Sequence, residues 1–379
     1  MTTYKIAIIH DYLCGMGGSE RVFSYICEEF SEADIYTLAY NPDLTLPEFR
    51  NFNIRVTWLN KFVKTMEQFR WSFPIATHVM AKLPLKEYDI VLTSSATVAK
   101  YVNTGMQNHI CYCYIPTRAI WQTDVYFSSV FKRKLFQLFL NYLRRGDLRA
   151  SENVSRFISI SENTRQQILG IYGKDSAVIN SPIVCENFTP SSEKHEYYLL
   201  VSRLEAWKMV DYAIEAFNQS GRKLKIIGTG SEEVRLKKKA NENIEFLGYV
   251  DDEELAKFYA SAKAVVFTPE LEYGLIPLEA NAAGTPVICY GVGGVQETMI
   301  PYVSNSVDSD KYSAIFYHAQ TAEELNNAIQ LFESLPINQS FLVEHAQKWD
   351  VKNFKKSLRE FVNQFYEETS GRQSKRADV

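Results

Sequence analysis

The 379-residue chain has no apolar run near the ~18 residues that a membrane-spanning helix needs, so a transmembrane protein is not expected. It is short of cysteine: six residues, at positions 14, 27, 111, 113, 185 and 289, with no CxxC pair. Cys111 and Cys113 stand at i and i+2 of an expected strand, poorly placed to bond each other. Six reduced, mostly buried thiols are expected, and no zinc site. Glycine (17) and proline (12) are too few for a collagen-like or low-complexity chain. Neither sign of charge dominates, the net being −4. With no zinc finger and no RNA-binding aromatic signature, nucleic acid is not an expected partner. The opening Met1-Thr2-Thr3-Tyr4-Lys5 leads directly into Ile6-Ala7-Ile8-Ile9, too short an apolar stretch for a signal peptide. The expected location is cytoplasmic, with the inner face of the cell membrane as a second address.

What is present is a repeating β/α pattern, and the length fits two domains. β-rich runs at 5–10, 34–39, 53–57, 88–93, 109–114 and 156–160 alternate with helical patterns such as 19–30 and 162–172. The pattern restarts at 196–202 and continues through 223–227, 243–247, 263–267 and 285–289, with helices at about 208–218, 231–240, 252–261 and 277–283. Alternation of this kind predicts parallel sheets covered by helices on both faces, an α/β architecture of two Rossmann-like domains. The polar, proline-marked stretch from Asn180 to Glu193 marks the join. We place the domains at 1–185 and 186–351. An amphipathic helix at 352–368 is assigned to the first, and a disordered tail at 370–379 ends the chain. Charge is uneven: residues 51–149 hold fourteen basic and five acidic side chains, interleaved with aromatics. That mixture suits an anionic surface as well as a solvated helix face over a core.

Two features carry chemistry. After the first strand, Gly15-Met16-Gly17-Gly18-Ser19-Glu20 is a glycine turn at a helix start, where backbone N–H groups can approach phosphate oxygens. It lacks the last glycine of the GxGxxG fingerprint and there is no Walker lysine, which argues against nicotinamide and P-loop chemistry. In the second half, Ser202-Arg203-Leu204 closes a strand and Lys208 follows where a helix begins. Two cations there can clamp a diphosphate, Arg203 as a fork and Lys208 as a point charge. Glu279, just inside a helix after Gly274, can accept two bonds from a ribose diol. Each feature also has a plain structural reading, as a tight turn, a surface pair or a solvated carboxylate.

Taken in order, Gly17-Gly18-Ser19-Glu20-Arg21, Ser202-Arg203-Leu204 with Lys208 and Asp211, Gly228-Thr229-Gly230-Ser231-Glu232, Phe246-Leu247-Gly248 and Gly274…Glu279-Ala280…Gly284-Thr285-Pro286 resemble glycosyltransferase family 4. His10-Asp11-Tyr12-Leu13 and Pro116-Thr117-Arg118 with Trp121 resemble its bacterial O-antigen and exopolysaccharide mannosyltransferases. The resemblance implies the GT-B fold, two Rossmann-like domains facing across a cleft with the last helix crossing back. It implies a retaining, metal-independent transfer from a nucleotide-diphosphate sugar, GDP-mannose favoured and a UDP-sugar as the alternative, to a glycan or polyprenyl-diphosphate-linked acceptor. No separate cofactor is implied. Gly17 and Gly18 would approach the diphosphate, Arg203 and Lys208 would neutralise it as it leaves, and Glu279 would hold the ribose. Tyr249 and Val250 would edge the base pocket. Tyr273, Gly274, Leu275 and Ile276, with Glu270 and Glu272, would line the donor. Tyr114, Arg118 and Trp121 would lie on the acceptor side.

The sequence departs from the family pattern at three places. The family carries a glutamate eight residues before the one matched by Glu279, and here Leu271 stands there, flanked by Glu270 and Glu272. Tyr114 and Ala96 occupy positions where relatives carry histidines. A second reading therefore stays open: a catalytically silent GT-B subunit that binds nucleotide or glycan and partners another transferase. Asp308-Ser309-Asp310 mimics a metal-binding DxD but lies beyond the core motifs in a polar loop. Finally, apolar residues 135, 136, 138, 139, 142 and 143, with basic residues at 132–134 and 144–145, suit either a packed helix or one lying on an anionic bilayer.

Overall fold

The computed structural model describes residues 4–105, 108–122, 137–271, 273–304 and 310–377, with side chains through 370. The chain forms two compact units, Met1–Asn180 with Phe354–Val379, and Ser181–Asn353. The sequence reading set these joins at 185/186 and 351/352.

The first unit is built on a seven-stranded parallel sheet of order β3-β2-β1-β4-β5-β6-β7. Its strands are β1 Ile6–His10, β2 Asp34–Thr37, β3 Ile54–Val56, β4 Ile90–Ser95, β5 His109–Cys113, β6 Arg156–Ser159 and β7 Ser176–Val178. Every residue of β1, β4 and β5 is buried, as expected of central parallel strands with helices on both faces. The second unit has a six-stranded sheet of order β10-β9-β8-β11-β12-β13. Its strands are β8 Tyr198–Val201, β9 Leu224–Ile227, β10 Ile244–Gly248, β11 Val265–Phe267, β12 Val287–Tyr290 and β13 Ala314–Tyr317. The sequence pattern missed β7 and β13. Both are short edge strands, of three and four residues.

The helix Val351–Ala377 returns the chain to the first unit at Phe354. Phe354, Leu358, Val362 and Phe365 form its buried stripe. Arg359 spans to Glu29 (2.8 Å) and Glu32 (2.6 Å), with its guanidinium 4.0 Å from the Phe30 ring centroid. The tail expected to be disordered from 370 is helical to Ala377. Arg372, Gln373, Lys375, Arg376 and Ala377 are helix formers, and extending an existing helix avoids the cost of nucleation. All six cysteines are buried and unpaired in disulfides.

A buried ion pair organises one side of the first unit. The Lys100 ammonium lies 2.9 Å from Asp147, and both side chains are at most 1 % exposed. Lys100 also donates to the Thr97 carbonyl and the Thr117 hydroxyl. Asp147 accepts from the Trp121 indole (2.7 Å) and the hydroxyls of Tyr172 (2.7 Å), Thr117 (3.0 Å) and Tyr101 (3.1 Å). Burial pushes the Asp147 carboxyl up, but Lys100 and these donors outweigh it and hold it below its ordinary value. Burial works against the Lys100 charge, and Asp147 more than offsets it. Lys100→Met leaves the carboxylate buried without its counter-charge. Urea unfolding of that variant is expected to show a loss of about 3–5 kcal/mol, with part recovered when Asp147→Asn is added. A loss under about 1 kcal/mol would mean the pair is not the organising contact.

Candidate nucleotide-sugar site

In each sheet the strand order reverses beside the first strand, between β8 and β11 in the second unit and between β1 and β4 in the first. Loops part at such a switch point, which makes it the usual ligand crevice of an α/β sheet. The loop after β8 is Ser202-Arg203-Leu204-Glu205. A neighbouring turn fixes its backbone. The Leu204 N–H donates to the Thr229 carbonyl (2.9 Å), and a Cβ on Gly228, whose φ is +124°, would fall 1.9 Å from the Ser202 carbonyl oxygen. A Cβ on Gly230 would fall 2.3 Å from the Leu204 oxygen. The chain then makes a 3-10 turn, Ala206–Lys208, passes through Met209 in a left-handed conformation (φ 56°) and enters the helix Val210–Ser220.

Arg203 is exposed, whereas Lys208 is buried, its ammonium 4.1 Å from the Trp207 ring centroid. Across the switch point the Thr268 hydroxyl, just past β11, donates to the Lys208 carbonyl (2.7 Å). The Tyr212 hydroxyl donates to the Thr268 carbonyl (2.9 Å). The loop that carries the two cations is thus pinned to the loop that leads to Glu279. Asp211, quoted with the motif, takes a different role: hydrogen bonds from Arg235 and Lys239 tie two helices together and draw its carboxyl down to about 2.

Beyond β11, Gly274 caps the helix Leu275–Ala282, whose first turn carries no acidic side chain. The N–H groups of that turn favour an anion. Glu279 is half-buried one turn further on and accepts from the Tyr259 hydroxyl (2.9 Å). Val250, Leu271, Tyr273, Leu275 and Ile276 pack on one apolar cluster. Leu271 belongs to the scaffold: it bridges to Gly293, and its carbonyl accepts from the Gly294 N–H (2.7 Å). The Tyr273 hydroxyl donates to the Ser181 carbonyl (2.9 Å). Glu270 and Tyr249 are exposed, Tyr249 at 72 %. Glu272 lies outside the described residues, as do Asp308 and Ser309 of the DxD-like segment.

In the first unit, Gly17 caps the helix Gly18–Glu29, and Glu20 falls in its first turn. A Cβ on Gly17 would meet a Glu20 carboxylate oxygen at 2.8 Å. The switch point is closed by Asp11, which the sequence reading quoted within His10-Asp11-Tyr12-Leu13 but gave no role. Its buried carboxylate accepts from the N–H groups of Ala96 (2.6 Å), Thr97 (2.8 Å) and Ala99 (2.6 Å) and from the Ser95 hydroxyl (3.2 Å). A carboxylate at the end of the fully buried strand β1 was the signal that could have found it. Tyr114 is buried. Its hydroxyl donates to the Ser19 carbonyl (2.9 Å) and shares a hydrogen bond with Ser94 (2.9 Å), which in turn meets His10 Nδ1 (3.0 Å). Tyr114 therefore anchors the glycine turn from beneath. Trp121 points its indole at Asp147, and Arg118, half-buried, opens the short helix Arg118–Trp121.

Residues 186–349 match the family of glycosyl transferases group 1. The match falls within the second unit. The chain is 23 % identical to an α-1,3/1,6-mannosyltransferase of Saccharomyces cerevisiae, over 96 % of this chain and 84 % of that one. It is 21 % identical to an O-antigen chain mannosyltransferase of Salmonella typhimurium, over 76 % of each. Among solved structures it is similar to Anabaena HepE in complex with UDP, with a TM-score of 0.69 at 16 % identity, covering 95 % of this chain and 100 % of that one. The architecture is GT-B, and the mannosyltransferase resemblance expected from the sequence holds.

The loop after β8 places a demand on a neighbouring glycine that can be measured. Gly228→Ala puts a methyl group into the Ser202 backbone at a positive φ and is expected to cost more than about 3 kcal/mol by urea unfolding. Gly221 also has positive φ (66°) but open space around it, so Gly221→Ala is expected to cost about 1 kcal/mol. Equal costs would mean that the close approach at Ser202 does not constrain the loop.

Proposed function

We propose that the chain is a retaining glycosyltransferase. It moves a hexose, mannose favoured, from a nucleotide-diphosphate sugar to a glycan or polyprenyl-diphosphate-linked acceptor in surface polysaccharide synthesis. The observation that carries this reading is the pinned pair of loops at the β8/β11 switch point. One bears Arg203 and Lys208, and the other leads to the helix start at Leu275 and to Glu279. The relatives named as mannosyltransferases favour GDP-mannose. The Anabaena neighbour, solved with UDP and with UDP-glucose, supports nucleotide-sugar binding and makes a UDP-sugar the alternative.

In the proposed reaction the bond between the anomeric carbon and the phosphate oxygen breaks, and the diphosphate keeps the electron pair. The acceptor hydroxyl adds to the same face of the sugar and passes its proton to an oxygen of the departing diphosphate. Negative charge grows on the diphosphate as positive charge grows on the sugar ring. Arg203 and Lys208 stabilise the first without reorganising, which is usually the largest catalytic contribution. Lys208 is suited to this because it is partly desolvated, so its charge is less screened. Glu279 would accept from the ribose hydroxyls alongside its bond from Tyr259. Leu271 offers no hydrogen bond to a sugar hydroxyl, so the donor sugar must be held by other groups than in relatives with a glutamate there.

Arg203→Ala and Lys208→Ala are each expected to lower the transfer rate about 10²–10³-fold while the unfolding midpoint stays near that of the parent. Near-normal rates in both variants would remove them from the diphosphate clamp. Glu279→Gln is expected to weaken nucleotide binding by about 1.5–3 kcal/mol by calorimetry, and Glu270→Gln to leave it near the parent value. A panel of GDP, UDP and ADP in the same calorimeter identifies the base. Binding without turnover across donors and acceptors would overturn the transferase reading in favour of a silent subunit.

A further inference from the structure

The first unit exposes large apolar side chains that the proposed transfer does not use. Trp58 and Phe62, at 58 % and 66 % exposure, touch edge to face on one loop. Trp71 (84 %) and Ile75 (54 %) stand one turn apart on the helix Met66–Met80, whose other face, Phe69, Ala76, Val79 and Met80, is buried. The helix is therefore apolar on two sides, one of them in water. Lys61, Lys64 and Arg70 are exposed among these aromatics, and Glu67 is the one acidic residue between 52 and 80.

The helix Gln137–Glu152 repeats the pattern. Leu138, Phe139 and Tyr142 are exposed rather than packed, and Arg145 and Arg149 continue the stripe of Leu138 and Tyr142. Of the other basic residues read from sequence, 132–134 lie outside the described residues, and Arg144 is tied to the Ile120 carbonyl and the Trp121 ring. Both helices pack on the turn Ala99–Tyr101. The Phe73 ring meets the Tyr101 ring edge to face, and the Tyr101 hydroxyl reaches Asp147 on the second helix.

We infer that this surface docks the chain on an anionic lipid bilayer, with Trp58, Phe62, Trp71 and Ile75 entering the headgroup boundary and Lys61, Lys64 and Arg70 meeting lipid phosphates. Aromatic bodies with basic neighbours match that boundary. A second copy of the chain fits poorly, because a two-fold interface would set the same basic residues against each other. The segment that carries this surface packs its inner side on the residues leading into the glycine turn. The Tyr12 ring lies 4.2 Å from the Phe69 ring, the Cys14 thiol meets the Val63 carbonyl, and Met66 Cε is 3.7 Å from where a Gly15 Cβ would sit. Delivery of a polyprenyl-linked acceptor to that turn rests on the proposed function; the docking does not.

The full chain is expected to sediment with phosphatidylglycerol-containing vesicles at low salt, to be released as salt rises, and to ignore pure phosphatidylcholine vesicles. Lys61→Ser, Lys64→Ser and Arg70→Ser together should weaken partitioning about 100-fold. Brominated lipids should quench tryptophan fluorescence in the parent and much less in the conservative double variant Trp58→Phe, Trp71→Phe. Three outcomes overturn the inference: no sedimentation at low salt, quenching undiminished in the double variant, or a concentration-dependent dimer that Trp71→Ala dissolves. Nucleotide binding measured without vesicles separates the two proposals, since docking without nucleotide binding sinks the transferase reading alone.

Discussion

Parallel strands covered on both faces can bind a ligand only at the strand ends, and where strand order reverses the loops have no strand pairing to hold them together. The molecule answers this with one side chain per sheet. In the first unit the Asp11 carboxylate gathers three N–H groups and a hydroxyl from the loop after β4. In the second the Thr268 hydroxyl takes the Lys208 carbonyl across the gap. Both contacts are buried, so each polar group would be costly to leave unmet. The glycine turn and the Arg203/Lys208 loop are both carried on backbone that these buried hydrogen bonds hold in place.

Buried charge in the first unit serves a related purpose. Lys100 and Asp147 draw the 97–101 turn, the helix Arg118–Trp121, the helix Gln137–Glu152 and Tyr172 onto one ion pair. A pair like this is weak support for net stability, since apolar residues of equal volume often do as well. Its contribution is geometric. It fixes the spacing between the two helices whose outer faces carry the exposed aromatics, and it consumes Trp121. Tyr114 is consumed in the same way beneath the glycine turn, by Ser94 and the Ser19 carbonyl. Two aromatics expected to face an acceptor therefore have interior partners. Leu271, which stands where the family resemblance led one to expect a glutamate, is part of the apolar scaffold.

The sequence by itself determined the α/β architecture, because continuous apolar runs such as Ile6-Ala7-Ile8-Ile9 report strands buried on both faces, and stripes such as Phe354, Leu358, Val362 and Phe365 report helices through their period of 3.6. It also determined the phosphate-facing candidates, since Gly17-Gly18, Arg203 with Lys208, and Gly274 to Glu279 follow strand ends in a local order that survives folding. Tertiary structure decided what local order leaves open. Hydrogen bonds across long separations made Asp11 a clamp and gave Tyr114 and Trp121 inner partners. The Ser202 carbonyl oxygen, 1.9 Å from where a Cβ would sit, explains Gly228, and packing on the turn Ala99–Tyr101 left Trp71 and Leu138 in water. None of these can be read along the chain, because each depends on a group distant in sequence that only the folded sheet brings within reach.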